Sequence, residues 1–182
     1  MWWMILFGLL GVIWFAWSRP RPDERIETNQ TLALERVKEL LKVYKRWKRN
    51  DYDGNGRKDL PLGPLRVLRE TRLVNETTIG LVGEALVRAD MREKAPKALN
   101  GYLFTVTHPD LEWPKEQMVV ELSILARPKE PGVSGSCSFY VNTSGEAWYT
   151  NVALEQEVPP WPDRRSIDAG VWRSLDLEGI SP

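Results

Sequence analysis

The sequence predicts an α+β fold preceded by a membrane-spanning helix, and three patterns carry that prediction. Residues 1–18 contain no charged side chain, residues 31–49 repeat apolar positions at helical spacing, and from Tyr102 onward short runs of branched and aromatic residues alternate between turn signals. Together they describe an N-terminal transmembrane helix, then an amphipathic helix packed on a small antiparallel sheet of about four strands. The chain divides accordingly into an anchor (1–18), a linker (19–30), an α+β head (31–154) and a tail rich in proline and tryptophan (155–182).

As a helix rising about 1.5 Å per residue, the first segment is about 27 Å long, close to a hydrocarbon core of roughly 30 Å. Trp2 and Trp3 lie at one end and Trp14 and Trp17 near the other, the two interfacial levels that suit an indole. A cleaved signal peptide fits less well. No basic residue precedes the apolar run, and Phe15-Ala16-Trp17-Ser18 places a bulky ring where cleavage needs small side chains. Arg19, Arg21 and Arg25 follow the span and lean towards a cytoplasmic head, although Asp23, Glu24 and Glu27 are interleaved with them. The lipid bilayer is therefore the first expected partner.

Composition excludes some partners. The chain carries 25 Lys and Arg against 25 Asp and Glu, so no global field recruits nucleic acid, and no nucleic-acid partner is expected. Cys137 and His108 are each the sole residue of their type, which rules out an intrachain disulfide and the usual His/Cys zinc site within one chain.

Residues 19–30 are polar and contain prolines, which reads as a linker. Ala33, Val37, Leu40, Leu41, Tyr44 and Trp47 then form one apolar stripe, with Lys38, Lys42, Lys45, Arg46, Lys48 and Arg49 on the other faces. The helix runs into Asp51-Tyr52-Asp53-Gly54-Asn55-Gly56-Arg57-Lys58-Asp59. Asp51, Asp53, Asn55 and Asp59, with glycine at the sixth place, copy the first part of a calcium loop. Leu62 stands where the closing bidentate Glu belongs, so calcium binding here is weak or completed by a partner, and a turn of Asp, Asn and Gly is the simpler reading. No other cofactor is expected.

Short helices are predicted over 61–71 and 77–88, and an exposed connection over 89–100. Strands are predicted over 102–107, 118–126, 137–141 and 147–152, with Asn142-Thr143-Ser144-Gly145 as the hairpin turn between the last two.

Gly101-Tyr102 with Phe104, Ala126 with Pro128, Gly132 and Gly135, and Phe139-Tyr140-Val141-Asn142 with Gly145 resemble the head of bacterial type IV pilin-like and pseudopilin-like proteins. The helix entering an Asp/Gly/Asn loop is similar to such proteins as well. The chain departs from them at its start. A prepilin leader ends in glycine followed by Phe and a nearby Glu, whereas Gly8 and Gly11 lie within the apolar run and the first Glu is Glu24. The resemblance implies a pilin-like head exported on an N-terminal helix, hence a single-pass protein of the bacterial inner membrane with a periplasmic head. It further implies a structural role beside other membrane or envelope subunits.

Val158-Pro159-Pro160-Trp161-Pro162 is extended and unsuited to a sheet interior. Trp161 and Trp172 either pack on the chain's own head or insert in a partner's pockets. Catalytic signals are thin: Ser134, Ser136 and Ser138 flank Cys137, but His108 is the one imidazole and nothing in the spacing brings it to them. A non-enzymatic protein is expected, with a calcium-dependent binding module as the alternative and a Cys137 hydrolase behind both.

Overall fold

The computed structural model describes residues 22–52, 56, 60–61, 63–72, 78–107, 122–152, 162 and 164–177. The anchor segment with Trp2, Trp3, Trp14 and Trp17 lies outside them, and no helix of the described residues is long and apolar enough to cross a membrane.

Helix α1 spans Pro22–Asn50. Of the linker drawn over 19–30, residues 22–30 are already helical, and residues 19–21 lie outside the described residues. Proline suits the first turn, where its missing N–H has no acceptor to satisfy. Asp23 and Glu24 follow at the positive end of the helix dipole, and Lys48 and Arg49 close the negative end. Ala33, Leu34, Val37, Leu40, Leu41, Val43, Tyr44 and Trp47 are the buried side chains of α1. At the far end Asp51 takes a left-handed φ of 46° and donates its N–H to the Trp47 carbonyl at 3.1 Å, which ends the helix.

Between α1 and the sheet lies a small subassembly: α2 (Arg66–Arg69), a two-stranded ribbon of β1 (Thr71–Arg72) and β2 (Thr78–Ile79), and α3 (Glu84–Arg88). The helix predicted over 77–88 forms only in its last part, after the two glycines Gly80 and Gly83. The connection predicted as exposed over 89–100 contains two fully buried residues, Ala89 and Asp90. The Asp90 carboxylate is satisfied by backbone donors: Leu65 N–H at 2.7 Å on one oxygen and Arg92 N–H at 3.0 Å on the other. A buried charge persists where such bonds replace its hydration.

Among the described residues, β3 (Tyr102–Thr107), β4 (Ser123–Pro128), β5 (Ser138–Asn142), β6 (Ala147–Thr150) and β7 (Arg173–Ser174) form one antiparallel sheet in that order. The sheet thus has one strand more than predicted. Alternation sends Tyr102, Phe104, Val106, Ile124, Ala126, Phe139, Val141 and Ala147 into a single core with the buried side of α1. Leu125 and Tyr140 point the other way and are covered by Trp172. The turn between β5 and β6 forms as predicted. The Asn142 side-chain oxygen accepts from Gly145 N–H at 3.0 Å and Glu146 N–H at 2.8 Å, and Gly145 sits at φ 105°.

Two tyrosines in this core set its alkaline limit. Burial pushes the hydroxyls of Tyr44 and Tyr102 well above the ordinary value of 10.0, and the neighbouring Cys137 raises Tyr102 further. Their contribution is fully present below pH 10. Above it the unfolded chain loses protons that the folded chain retains, so stability falls as pH rises towards the folded values, by up to about 1.4 kcal/mol per pH unit for each tyrosine. Urea unfolding at pH 9 to 11 is expected to show this decline, and Y44F to make it shallower by one proton's share. An unchanged slope in Y44F would place Tyr44 in water.

Candidate functional site

Three places in the fold bring candidate residues together. The first is the end of α1. Asp51 Oδ2 accepts a hydrogen bond from Gly56 N–H at 2.9 Å, and Gly56 has a left-handed φ of 73°. Asp51 Oδ1 is shielded from solvent and has no hydrogen-bond partner among the described residues. Asn50 Nδ2 donates to the Tyr52 hydroxyl at 2.9 Å, and the Tyr52 ring meets Trp47 edge-on at 5.7 Å, tying the start of the loop to the core. The sequence thereby positions the first and sixth loop residues as a tight turn. Asp53, Asn55 and Asp59, the other predicted calcium ligands, lie outside the described residues, as does Leu62. Among the described residues no three His, Cys, Asp or Glu side chains converge as a metal group.

The second place surrounds Cys137, just before β5. Gln30 Nε2 donates to its sulfur at 3.2 Å, the thiol donates to Asn151 Oδ1 at 3.0 Å, and Ser136 Oγ donates to Gln30 Oε1 at 3.1 Å. Beside it Asn29 Nδ2 donates to the Ser134 carbonyl at 2.9 Å. This polar seam joins the first turns of α1 to the sheet. Its members on the helix, Asn29 and Gln30, were assigned to a linker in the sequence. The signal that finds them is their spacing from Ile26 and Ala33, which continues the buried side of α1 upward by two turns. Among the described residues the seam's contacts to Cys137 are amide and hydroxyl groups, and no base or cation is among them. His108 lies outside the described residues.

The third place is the tail. Helix α4 (Arg164–Asp168) turns at Gly170 and leads to Trp172, whose side chain is 1% exposed. Its ring meets Tyr140 edge-on at 6.1 Å, and Tyr140 meets Trp148 in the same manner at 5.8 Å. The Ser166 carbonyl accepts from Val171 N–H at 2.9 Å, and Leu175 N–H reaches the Ala147 carbonyl at 2.9 Å as β7 joins β6. Of the two readings given above for Trp172, the described residues show the first: its indole lies on the chain's own sheet, and Arg173–Ser174 within the segment drawn as a tail over 155–182 pair with that sheet. Trp161 lies outside the described residues.

Charged pairs elsewhere are exposed. Arg69 and Arg88 both reach the Glu84 carboxylate, at 2.8 and 2.9 Å, and lower its protonation range, while Arg66 pairs with Glu93 at 3.1 Å. Of these, Arg69–Glu84 joins α2 to α3, Arg88–Glu84 lies within α3 and Arg66–Glu93 ties α2 to the segment after α3, and screening leaves each little energy.

With this geometry in hand, no family model, no curated protein and no solved structure matches the chain.

Proposed function

We propose that the chain is a membrane-anchored, non-enzymatic subunit of an envelope assembly, pilin-like or pseudopilin-like in plan: an α+β head carried on the apolar segment 1–18 of the bacterial inner membrane, facing the periplasm. One observation supports this above the rest. Helix α1 begins at Pro22, close behind an uncharged run, and stays helical through Asn50 while its apolar side packs on the sheet. The helix thereby leaves only residues 19–21 between the uncharged run and the head, a connection too short for a long tether.

The test is protease protection of a C-terminal tag in intact and permeabilised cells, followed by identification of proteins that copurify from solubilised membranes. Protection only in intact cells, together with a reproducible set of membrane or envelope subunits, is the expected result. Recovery of the chain from a soluble extract without its first twenty or so residues overturns it.

A second reading, calcium binding by the loop after α1, is favoured by the Asp51–Gly56 bond and the left-handed Gly56, which match the first and sixth places of a calcium loop. Calcium is then expected to raise the melting temperature of the full chain, and Asp51→Ala to abolish that rise. A rise that survives the substitution removes Asp51 from the ligand set.

A further inference from the structure

The outward side of α1 is polar along its whole length, and its charges are ordered. Glu24, Glu27, Thr28, Thr31, Glu35, Lys42, Lys45, Arg46 and Arg49 are exposed and follow one another at intervals that keep them opposite the buried stripe. The first half of this face carries acids, and the last two turns carry only cations. The helix dipole accounts for charges in the first and last turns, but Glu27, Glu35 and Lys42 lie beyond its reach.

We propose that this face docks antiparallel on the same face of a second copy of the chain. With the two helices reversed about a point between residues 36 and 37, Glu24 stands opposite Arg49, Glu27 opposite Arg46, Thr28 opposite Lys45 and Thr31 opposite Lys42. Two-fold symmetry makes every pairing occur twice, and this register opposes no two like charges on the face. A parallel arrangement would set acid on acid and cation on cation, which the charge order penalises. An anionic lipid surface fits less well, because Glu24, Glu27 and Glu35 on the same face would be repelled by it.

From Glu24 to Arg49 the contact is a strip about 38 Å long with no apolar side chain, so the association is weak and screened by salt. Reversal places the two N-terminal segments at opposite ends of the strip, so the pairing does not rest on the anchor reading above and is not promoted by anchors side by side in one bilayer. The experiment therefore uses the full chain in a non-ionic detergent, labelled at its C-terminus with donor or acceptor fluorophore, with energy transfer read at low and high salt.

Wild type is expected to show transfer that falls several-fold as the Debye length shortens from about 10 Å to 3 Å. E24K/E27K alone, with cation facing cation at both ends, and R46E/R49E alone, with acid facing acid at both ends, are each expected to lose it. Mixing the two variants is expected to restore it, since each then faces opposite charge at both ends. Circular dichroism checks that each remains helical, and E27K with R46E repeats the exchange should a double variant unfold. Absence of salt-sensitive transfer in wild type, or failure of the mixture to restore it, overturns the proposal. Transfer confined to vesicles containing phosphatidylserine, lost in R46E/R49E and not rescued by mixing, assigns the basic half to lipid headgroups and overturns it as well.

Discussion

Replacing Trp172 with alanine is expected to lower the stability of the head by about 3–5 kcal/mol, the range for removing a fully buried aromatic side chain. The indole is 1% exposed, sits on Leu125 and Tyr140, and is the main apolar contact between the segment 164–177 and the sheet. Without it, β7 retains a two-residue pairing with Trp148 and Tyr149, the Leu175 bond to Ala147 and the half-buried Leu175 and Leu177, a weak hold on the sheet. The loss is thus expected to appear twice: as a lower denaturation midpoint, and as rapid proteolysis near residues 164–170. Trp172→Phe separates packing from polarity. The indole Nε1–H is shielded from solvent and has no acceptor among the described residues, so phenylalanine loses volume but none of the described hydrogen bonds, and a cost of about 1–1.5 kcal/mol is expected. A W172A head with unchanged midpoint and unchanged proteolysis would free the indole for a partner's pocket.

How far the sequence revealed this arrangement depends on where each residue's environment comes from. Strand β3 is legible because Tyr102 to Thr107 is a six-residue run of aromatic and branched side chains that follows a turn signal at Asn100-Gly101. The turn at Asn142 was legible because its chemistry is local: an Asx oxygen bonds its own following backbone. The start of α1 was not. Residues 22–30 lack a broad apolar stripe because the sheet receives them through amides, Asn29 and Gln30, and a polar contact leaves no mark on hydropathy. The helix signals that were present, Pro22 followed by Asp23 and Glu24, also describe an exposed linker.

Asp90 was read as solvated for a related reason. Its burial is set by backbone donors, one of them 25 positions earlier in the chain at Leu65, and single-chain patterning carries no trace of such a partner. Strand β7 escaped because Arg173 and Ser174 are both exposed and too few to show a period. Trp172 was legible as one of two alternatives, and only the presence of Tyr140 on the outer face of the sheet decides between them. For the candidate calcium loop the geometry reaches Asp51 and Gly56, the two residues whose roles are set by helix termination and turn conformation.

The other large effect is expected from Gly135→Ala, a change of one methyl group. A Cβ at this position would overlap the Tyr102 hydroxyl oxygen and lie 2.6 Å from Cζ and 2.7 Å from Cε2 of the same ring. That ring is poorly placed to yield. Tyr102 is fully buried, stacks on Phe139 with centroids 6.0 Å apart, and donates its hydroxyl to the Cys137 carbonyl at 2.8 Å. Relief requires breaking that bond and shifting an aromatic pair in the main core, so destabilisation of about 3 kcal/mol is expected, at the upper end for overpacking. Gly132→Ala is the contrasting case in the same turn. Nothing lies within 4 Å of its added Cβ, but the φ of 76° disfavours an L side chain, and about 1–2 kcal/mol is expected from conformation alone. The steric account makes a sharper demand on the double variant G135A/Y102F. Removing the hydroxyl takes away the worst overlap as well as one hydrogen bond, so the two changes together are expected to cost less than the sum of the single ones when urea midpoints are compared. Strict additivity would show that Gly135 is required for its backbone conformation and that its approach to Tyr102 is incidental.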